Sequence, residues 1–159
     1  MKFKIVTDGS SLANGTNNQV GGWAFKFVNS GRFCFGGEVG ATNNRMEIMA
    51  VIMALENVIQ IAEEGDEIQI ISDSAYVVNC INQDWIGNWV KNGWLTSKKE
   101  PVKNEELWRH LARLLKLLEI KKVSVGFEKI KGHAGDPDNE FVDKLAKKGA
   151  TEAQAGSKS

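Results

Sequence analysis

Short apolar segments separated by polar turns fill the first forty residues of the chain. Residues 3–7 have a strand pattern, and residues 22–28 and 32–39 alternate apolar and polar positions as two further strands do. The sequence Asn29-Ser30-Gly31 between the last two segments is a turn signal. Three strands joined by short loops predict an antiparallel meander.

Helical and strand patterns alternate along the rest of the chain. Thr42 can cap a helix that runs to about Glu63, and the interior of that helix is apolar almost all round, as in a deeply packed helix. The later predicted elements are a strand at 67–72, short helices at 75–82 and 85–90, an amphipathic helix at 105–118, a strand at 122–130 and a helix at 139–151. A strand, a crossover helix and a strand pair in parallel. The order predicts an α/β fold with a mixed sheet and helices on both faces, in one domain over residues 1–152 followed by a disordered tail at 153–159.

The composition excludes several classes of protein. The chain has 159 residues and a formal charge of zero, from 20 Lys and Arg against 20 Asp and Glu, so it is not basic all over, which does not exclude a local basic patch. No apolar run approaches the ~18 residues of a membrane span, and the N-terminal segment lacks a signal-peptide pattern. The two cysteines have no CxxC spacing. These features predict a cytoplasmic globular protein with no zinc site and no membrane partner.

Two predicted strands run into the same local pattern, an aspartate followed closely by a serine. Asp8 follows one apolar strand and Asp73 follows another. In α/β sheets, sites form beyond the carboxyl ends of parallel strands, so neighbouring strands would bring the two carboxylates together. An aspartate after a strand is also a common turn former or helix cap. Both interpretations stay open for this pair.

Two helical carboxylates are candidates for the same site. Glu47 is the only charged residue between Met46 and Leu55, in a helix predicted to be buried, where a carboxylate is costly unless it is paired or binds a metal. Alternatively, it lies in the first helical turn and faces solvent. Asp143 lies in the last predicted helix, where it can equally form a surface ion pair with Lys147.

A loop histidine and the carboxylates together suggest a chemistry. His133 lies in the glycine-containing segment KGHAGDPDN. Histidine is the side chain best suited to proton transfer near neutral pH, although a loop histidine is often merely exposed. Converging carboxylates without cysteine or clustered histidine favour a hard cation, Mg²⁺ or Mn²⁺. Two such ions ~4 Å apart can activate a water and stabilise the leaving oxygen in phosphodiester cleavage.

Six segments, taken in order, resemble type I ribonuclease H. They are TDGS at 7–10, NNRMEI at 43–48, SDSAYV at 72–77, NWVKNGW at 88–94, PVKNEELW at 101–108 and KGHAGDPDNEFVDKLA at 131–146. No single segment is specific, but the ordered set is, and it covers nearly the whole chain. The resemblance implies the ribonuclease H-like fold with a five-stranded mixed sheet, in a compact bacterial-like form. That form is monomeric and has no obligate protein partner.

The resemblance implies an endonuclease that hydrolyses the RNA strand of RNA–DNA hybrids and leaves 3′-hydroxyl and 5′-phosphate ends. By motif position, it implies that four carboxylates bind metal: Asp8, Glu47, Asp73 and Asp143. Two Mg²⁺ ions would be held in the substrate complex, with Mn²⁺ as a substitute. His133 would assist proton transfer or product release.

The resemblance also implies how the hybrid is held. Asn43 matches a family residue that contacts the hybrid near the 2′-hydroxyl, the group that distinguishes RNA from DNA. Asn44 can hydrogen-bond to sugar and base edges, and helix capping is the alternative for both. Thr42 and Asn104 match a pocket for a DNA phosphate. Residues 85–104, called the basic strip below, hold four Lys and one Glu and match a protrusion that grips the DNA strand. The strip residues expected to bind are Trp85, Trp89, Lys91, Lys98 and Lys99, with a core role as the alternative for the indoles.

Several positions depart from the family pattern. Gly40 stands where the phosphate pocket often has an arginine, and Ala75 stands where a glutamine frequently reaches the minor groove. The usual Asn-Pro-Gly loop after the first strand is replaced by ANGTNNQVGG. These departures concern substrate affinity more than chemistry, because every catalytic position is filled.

Three other functions are compatible with parts of the pattern. A resolvase or integrase-like nuclease would share the metal chemistry, but the basic strip and the GHAGDPDN segment argue against it. A non-catalytic hybrid-binding module would not need four carboxylates, which repel phosphates unless metal is present. A phospho-acceptor receiver domain also places aspartates at strand ends, but three meandering strands before the first helix fit it poorly.

Overall fold

A five-stranded mixed sheet forms the centre of the molecule. The computed structural model describes residues 1–12, 19–130 and 136–157. Its elements in chain order are β1 (Lys2–Leu12), β2 (Val20–Phe27), β3 (Phe33–Val39), α1 (Asn43–Val58), β4 (Glu67–Ser72), α2 (Ala75–Asn82), α3 (Trp85–Lys91), α4 (Glu105–Ile120), β5 (Ser124–Lys129) and α5 (Pro137–Ser157). The strand order is β3-β2-β1-β4-β5. β1, β2 and β3 pair antiparallel, and β4 and β5 run parallel to β1. The predicted α/β fold with a meander and parallel strands is confirmed.

Helices cover both faces of the sheet. Successive residues of a strand point to opposite faces, so Ile5 of β1 packs into one core and Val6 into the other. The larger core joins the sheet to α1, α2 and α4, and the apolar stripe of α4 contributes Leu111, which is fully buried. The smaller core joins the sheet to α5 through Val142 and Ala146. Within the described residues, no helix has both the length and the apolar composition needed to cross a membrane.

The first strand extends well past its predicted end. β1 was expected over residues 3–7 but runs to Leu12, so Asp8 lies inside a strand and does not form a turn. The segment Asp8–Leu12 pairs with Val20–Ala24 of β2. The polar composition of this segment resembles a turn, but the antiparallel partner supplies the backbone hydrogen bonds that hold it extended.

Two helix ends also differ from the prediction. α1 ends at Val58, not near Glu63, because the next amides turn more tightly and Ile61 N–H donates to the carbonyl of Val58 at 3.1 Å. α5 continues to Ser157. Residues 153–157 of the expected disordered tail are therefore helical.

Helix α5 lies directly against the backbone of β2 and β3. A Cβ added at Gly22 would collide with the carbonyl oxygen of Ala146, and one added at Gly149 would collide with the carbonyl oxygen of Gly36. Gly37 meets the backbone of Gly149 in the same way. This glycine seam, formed by Gly22, Gly36, Gly37 and Gly149, sets the depth at which α5 and its side chains sit on the sheet.

Candidate active site

Two of the candidate carboxylates come from neighbouring parallel strands. Thr7 of β1 is in register with Ser72 of β4, so Asp8 and Asp73 follow side by side at the same end of the sheet. Asp8 is buried, whereas Asp73 is exposed just beyond β4. The cap of α2 is Ser74, whose hydroxyl accepts a hydrogen bond from the backbone N–H of Val77. The helix-cap interpretation of Asp73 is therefore wrong.

Glu47 reaches the same place from helix α1. Its side chain is only 7% exposed, so the solvent-facing interpretation is wrong. A Cβ at Gly9 would collide with the backbone of Met46 and Glu47, which means that β1 and the start of α1 touch backbone to backbone. The absence of a side chain at Gly9 therefore lets α1 approach Asp8.

Asp143 completes the group from helix α5. Its carboxyl group lies close to that of Asp8, whose pKa it raises. It also accepts a hydrogen bond from Lys147 Nζ at 3.0 Å, so the predicted surface ion pair and the approach to Asp8 occur together. Four elements, β1, β4, α1 and α5, thus bring the four predicted carboxylates to one end of the sheet.

Burial and mutual repulsion disfavour ionisation of the two buried carboxyl groups. Desolvation raises the pKa of Asp8 from 3.8 to about 7, and the charge of Asp143 adds to the effect. Desolvation likewise raises the pKa of Glu47 from 4.5 to about 9, with the charge of Asp8 as the next cause. The carboxyl groups of Asp8 and Glu47 lie close enough for each to affect the pKa of the other.

The chemistry of this cluster fits a hard divalent cation. All four side chains offer only carboxylate oxygens, and Glu47 Oε2 is buried without a hydrogen bond to any described residue. A buried oxygen without a donor is satisfied by a cation. In the described parts of the chain, however, no three His, Cys, Asp or Glu side chains are already arranged to hold a metal ion. Binding a cation would therefore require protons to leave the buried carboxyl groups and the carboxylates to turn toward the ion.

The residues expected to meet the substrate sugar lie beside the cluster. Thr42 is the cap of α1, and its hydroxyl accepts a hydrogen bond from the backbone N–H of Arg45 at 3.2 Å. Asn43 and Asn44 occupy the first two helical positions and are exposed, so neither is the cap. Their side chains remain accessible at the edge of the carboxylate cluster.

Sequence reasoning missed the role of Arg45 in this region. The Nε–H group of Arg45 donates to both carboxylate oxygens of Glu38 on β3, at 3.2 and 3.1 Å, and its Nη1 donates to Glu106 on α4. These contacts raise the pKa of Arg45, mainly through Glu106, and lower the pKa of Glu106. Pairs between separate elements leave no spacing signal in the sequence. Asn104, the residue before α4, has a left-handed backbone and makes no side-chain cap.

Aromatic rings connect the basic strip to the core. Trp85 is 37% exposed and packs edge-on against Trp89, whose ring lies 6.2 Å from that of Trp94 and 5.6 Å from that of Trp108. Trp94 and Trp108 are buried, so the core interpretation holds for those two indoles. Trp85, Trp89 and Leu95 line an open groove of about 360 Å³.

The lysines of the basic strip point into solvent. Residues 96–100 form a tight loop in which Thr96 N–H donates to the carbonyl of Glu100 at 2.7 Å, with Leu95 bridged to Pro101. Lys98 and Lys99 lie in this loop, and Lys91 ends α3. All three are exposed, and none forms an ion pair with a described residue. His133 lies outside the described residues.

Comparison with known proteins identifies the family. The sequence model of the RNase H family matches residues 1–151. The chain is 42% identical over 145 residues to "Ribonuclease H" of Caldicellulosiruptor saccharolyticus, covering 90% of this chain and 92% of that protein. It is 43% identical over 156 residues to "Ribonuclease H" of Xanthomonas campestris pv. campestris, covering 97% and 95%.

A solved structure supports the fold independently. The foamy viral protease-reverse transcriptase in complex with RNA/DNA hybrid superposes with a TM-score of 0.74 at 22% identity, over 94% of this chain and 20% of that one. The fold is thus shared at low sequence identity. With the family match spanning nearly all described elements, the chain belongs to the RNase H family of ribonucleases.

Proposed function

We propose that this ribonuclease hydrolyses the RNA strand of RNA–DNA hybrids by two-metal-ion catalysis and leaves 3′-hydroxyl and 5′-phosphate ends. The observation that carries the proposal is the buried contact between the carboxyl groups of Asp8 and Glu47, flanked by Asp73 and Asp143. Gathering these carboxyl groups without a counter-charge costs folding free energy, and a bound cation would offset that cost. The relatives named Ribonuclease H and the neighbour solved with an RNA/DNA hybrid support the substrate class.

The four carboxylates would hold Mg²⁺, two ions in the substrate complex, with Mn²⁺ as a substitute. When bound, Mg²⁺ supplies the positive charge that activates the attacking water and stabilises the leaving oxygen. Asp8 and Glu47 are held by the backbone contact between β1 and α1, and their raised pKa values mean that metal binding would release protons. Asp73 is exposed, and Asp143 is half-buried, so these two face the substrate side.

The remaining side chains orient the hybrid and move protons. Asn43 and Asn44 are accessible to the sugar edge of the RNA strand, where the 2′-hydroxyl distinguishes RNA from DNA. Thr42 and Asn104 would bind a phosphate of the DNA strand. His133 would transfer a proton at the leaving oxygen or assist product release.

The basic strip would hold the DNA strand. Trp85 and Trp89 offer indole surface to sugars, and the exposed ammonium groups of Lys91, Lys98 and Lys99 offer charge to phosphates. We expect residues 1–152 to act as one catalytic unit, as a monomer without an obligate protein partner.

A cleavage assay tests the proposal directly. A hybrid labelled on the RNA strand is incubated with the chain in Mg²⁺ and in a chelator, beside double-stranded DNA, double-stranded RNA and single-stranded RNA of the same sequence. We expect cleavage of the hybrid only, in Mg²⁺ only. The 3′ ends of the products should prime a DNA polymerase, and their 5′ ends should accept a labelled phosphate only after phosphatase treatment.

The comparison substrates separate the alternatives. Cleavage of double-stranded DNA would favour a resolvase-like nuclease. Hybrid binding without cleavage at any Mg²⁺ concentration would favour a binding module, and either outcome would overturn the proposal.

A further inference from the structure

Arg45 is held between two carboxylates that come from different elements. Its Nε–H group donates to both oxygens of Glu38, and its Nη1 donates to Glu106. Glu38 lies near the end of β3, and Glu106 lies in the first turn of α4. The guanidinium therefore ties α1 to both β3 and α4.

Some N–H donors of the Arg45 guanidinium are not used by Glu38 or Glu106. Arginine carries five N–H groups in a planar fork. The contacts with Glu38 and Glu106 use Nε and Nη1, and Nη2 makes no hydrogen bond to any described residue. The side chain of Arg45 is 24% exposed, so a group arriving from solvent can reach it.

Arg45 lies where the enzyme is proposed to bind the DNA strand. Its backbone N–H donates to Thr42, and its partner Glu106 follows Asn104 by two residues. Gly40, the position where an arginine is common in the family, supplies no side chain, and a Cβ added there would meet nothing within 4 Å. Arg45 is thus joined to Thr42 through its backbone and to the first turn of α4, next to Asn104, through its side chain.

The local charge shows what a phosphate must displace. Two carboxylates against one guanidinium leave this position with an excess negative charge, which repels a phosphate. Glu106 is 65% exposed, whereas Glu38 is 40% exposed and grips Nε with both oxygens. Glu106 is therefore the partner that can separate from Arg45 at a small cost in free energy, because an exposed ion pair contributes little to stability.

Building on the proposed function, we propose that Arg45 binds a phosphate of the DNA strand and that Glu106 occupies its guanidinium until the hybrid displaces it. The exchange breaks the hydrogen bond from Nη1 to Glu106 and forms bidentate bonds from the guanidinium to the phosphate. Glu38 keeps the guanidinium oriented throughout. Glu106 thus lowers affinity for the hybrid while holding Arg45 ready.

Variants of Arg45 and of Glu106 should have opposite effects on affinity for the hybrid, and measuring them tests this assignment. Hybrid Kd is measured by fluorescence anisotropy without Mg²⁺, and KM and kcat are measured with Mg²⁺. Arg45→Met should raise Kd and KM about tenfold, the order of one charged hydrogen-bonded contact, with little change in kcat. Glu106→Gln should lower both about threefold, and Arg45→Met/Glu106→Gln should match Arg45→Met. Arg45→Lys should recover only part of the loss, because it lacks the fork.

A neutral methylphosphonate placed at single DNA phosphates identifies the contact. One position should weaken wild-type binding as much as Arg45→Met does and should have no effect on that variant. Arg113→Met, an exposed arginine of α4, is the matched control and should leave Kd unchanged. If Glu106→Gln weakens binding as Arg45→Met does, the pair is only a structural tether and the inference is overturned.

The binding series separates this inference from the proposed function. A wild-type chain that binds the hybrid but does not cut it would refute the function, while Kd would still decide the role of Arg45. Unchanged Kd in both variants of a chain that cuts the hybrid would overturn the inference alone. A chain that binds no hybrid would overturn both.

Discussion

The carboxylate cluster takes its side chains from four core elements, whereas the basic strip takes its own from one exposed stretch of chain. Asp8 and Glu47 are buried and fixed by contact between the backbones of β1 and α1. Helix α3 in the strip has no buried residue. Chemistry that depends on sub-ångström placement is built on the rigid part of the molecule, and sequence-tolerant binding is built on the accessible part. We therefore expect substitutions in the cluster to reduce cleavage and substitutions in the basic strip to weaken hybrid binding.

The largest effect is expected in the cluster. Asp73→Asn keeps the shape of the side chain but removes a charge from the site, so hybrid cleavage in Mg²⁺ should fall to background. The metal-free protein should be no less stable, because a like charge near Asp8 and Glu47 is gone. Initial rates and thermal melts measure the two effects.

Asp84→Asn is the matched control for that change. Asp84 caps α3 from an exposed position, and asparagine caps helices equally well, so saturating-substrate rates should stay at the wild-type level. Substantial cleavage by Asp73→Asn at saturating Mg²⁺ would remove Asp73 from the metal site.

His133 should affect the rate of cleavage without affecting metal binding. General acid–base groups contribute ~10²–10⁴-fold. His133→Ala should therefore slow turnover within or below that range and leave the Mg²⁺ requirement and hybrid affinity unchanged. His110→Ala removes a histidine that pairs with Glu56 at 2.7 Å on the α1–α4 side, and it should leave turnover unchanged. A raised Mg²⁺ midpoint in His133→Ala would instead make the histidine a ligand.

The pKa values of the cluster predict how stability depends on pH. The native state raises the pKa of Asp8 to about 7 and of Glu47 to about 9, so between about pH 4 and 9 it binds more protons than the unfolded chain. The free energy of unfolding of the metal-free protein should therefore fall as pH rises through this window, by up to about 1.4 kcal/mol per pH unit for each proton. Added Mg²⁺ should offset the loss most strongly at high pH.

Urea unfolding in a chelator from pH 5 to pH 9 measures this slope. Glu47→Gln removes the group with the larger shift and should flatten it. Glu152→Gln changes an exposed carboxylate of α5 and should not. Equal slopes in wild type and Glu47→Gln would mean that the cluster does not hold these protons.

The smallest effect is expected in the basic strip. Each neutralised phosphate contributes roughly −0.9 to the slope of log K against log salt, and the strip offers about two to four such contacts. Replacing Lys98 and Lys99 with Ala should weaken hybrid binding and flatten the slope by up to about 1.8. Once the hybrid is bound, cleavage should change little, because neither residue is near the carboxylates.

Lys121→Ala/Lys122→Ala is the control for the strip. Lys122 has φ of 63°, close to the 61° of Lys99, so the two double variants carry matched backbone strain. The control pair lies beside Ile59 and Glu64, away from the strip. If the Lys98 and Lys99 substitutions leave the slope of log K against log salt unchanged, the strip does not bind phosphates and is only a solvated loop.

Most of the fold was predictable because it follows from local patterning. The period of apolar residues located all five strands and the long helices, and the pairing rules gave their directions. The end of β1 was not predictable, because Asp8–Leu12 is extended only through its pairing with β2. The helical residues 153–157 lack an apolar stripe that would have marked them.

The residues of the site were only partly predictable from the sequence pattern. Glu47 stood out as a lone charge in an apolar helix, and its burial follows from that pattern. Asp143 had only a surface pattern, and the resemblance alone singled it out. Gly9 and Arg45 were missed because their partners lie on other elements of the fold. A contact between backbones or an ion pair between elements appears only after the chain is folded.

The glycine seam also determines the order in which the enzyme can become active. α5 follows every other element along the chain, yet it packs on β2 and β3, more than a hundred residues earlier. Such distant contacts form slowly and late. During synthesis, Asp8, Glu47 and Asp73 leave the ribosome before Asp143, so a nascent chain holds three carboxylates of the four and exposes the apolar surface around Val6 and Ala24. The nuclease is assembled only when its last helix docks.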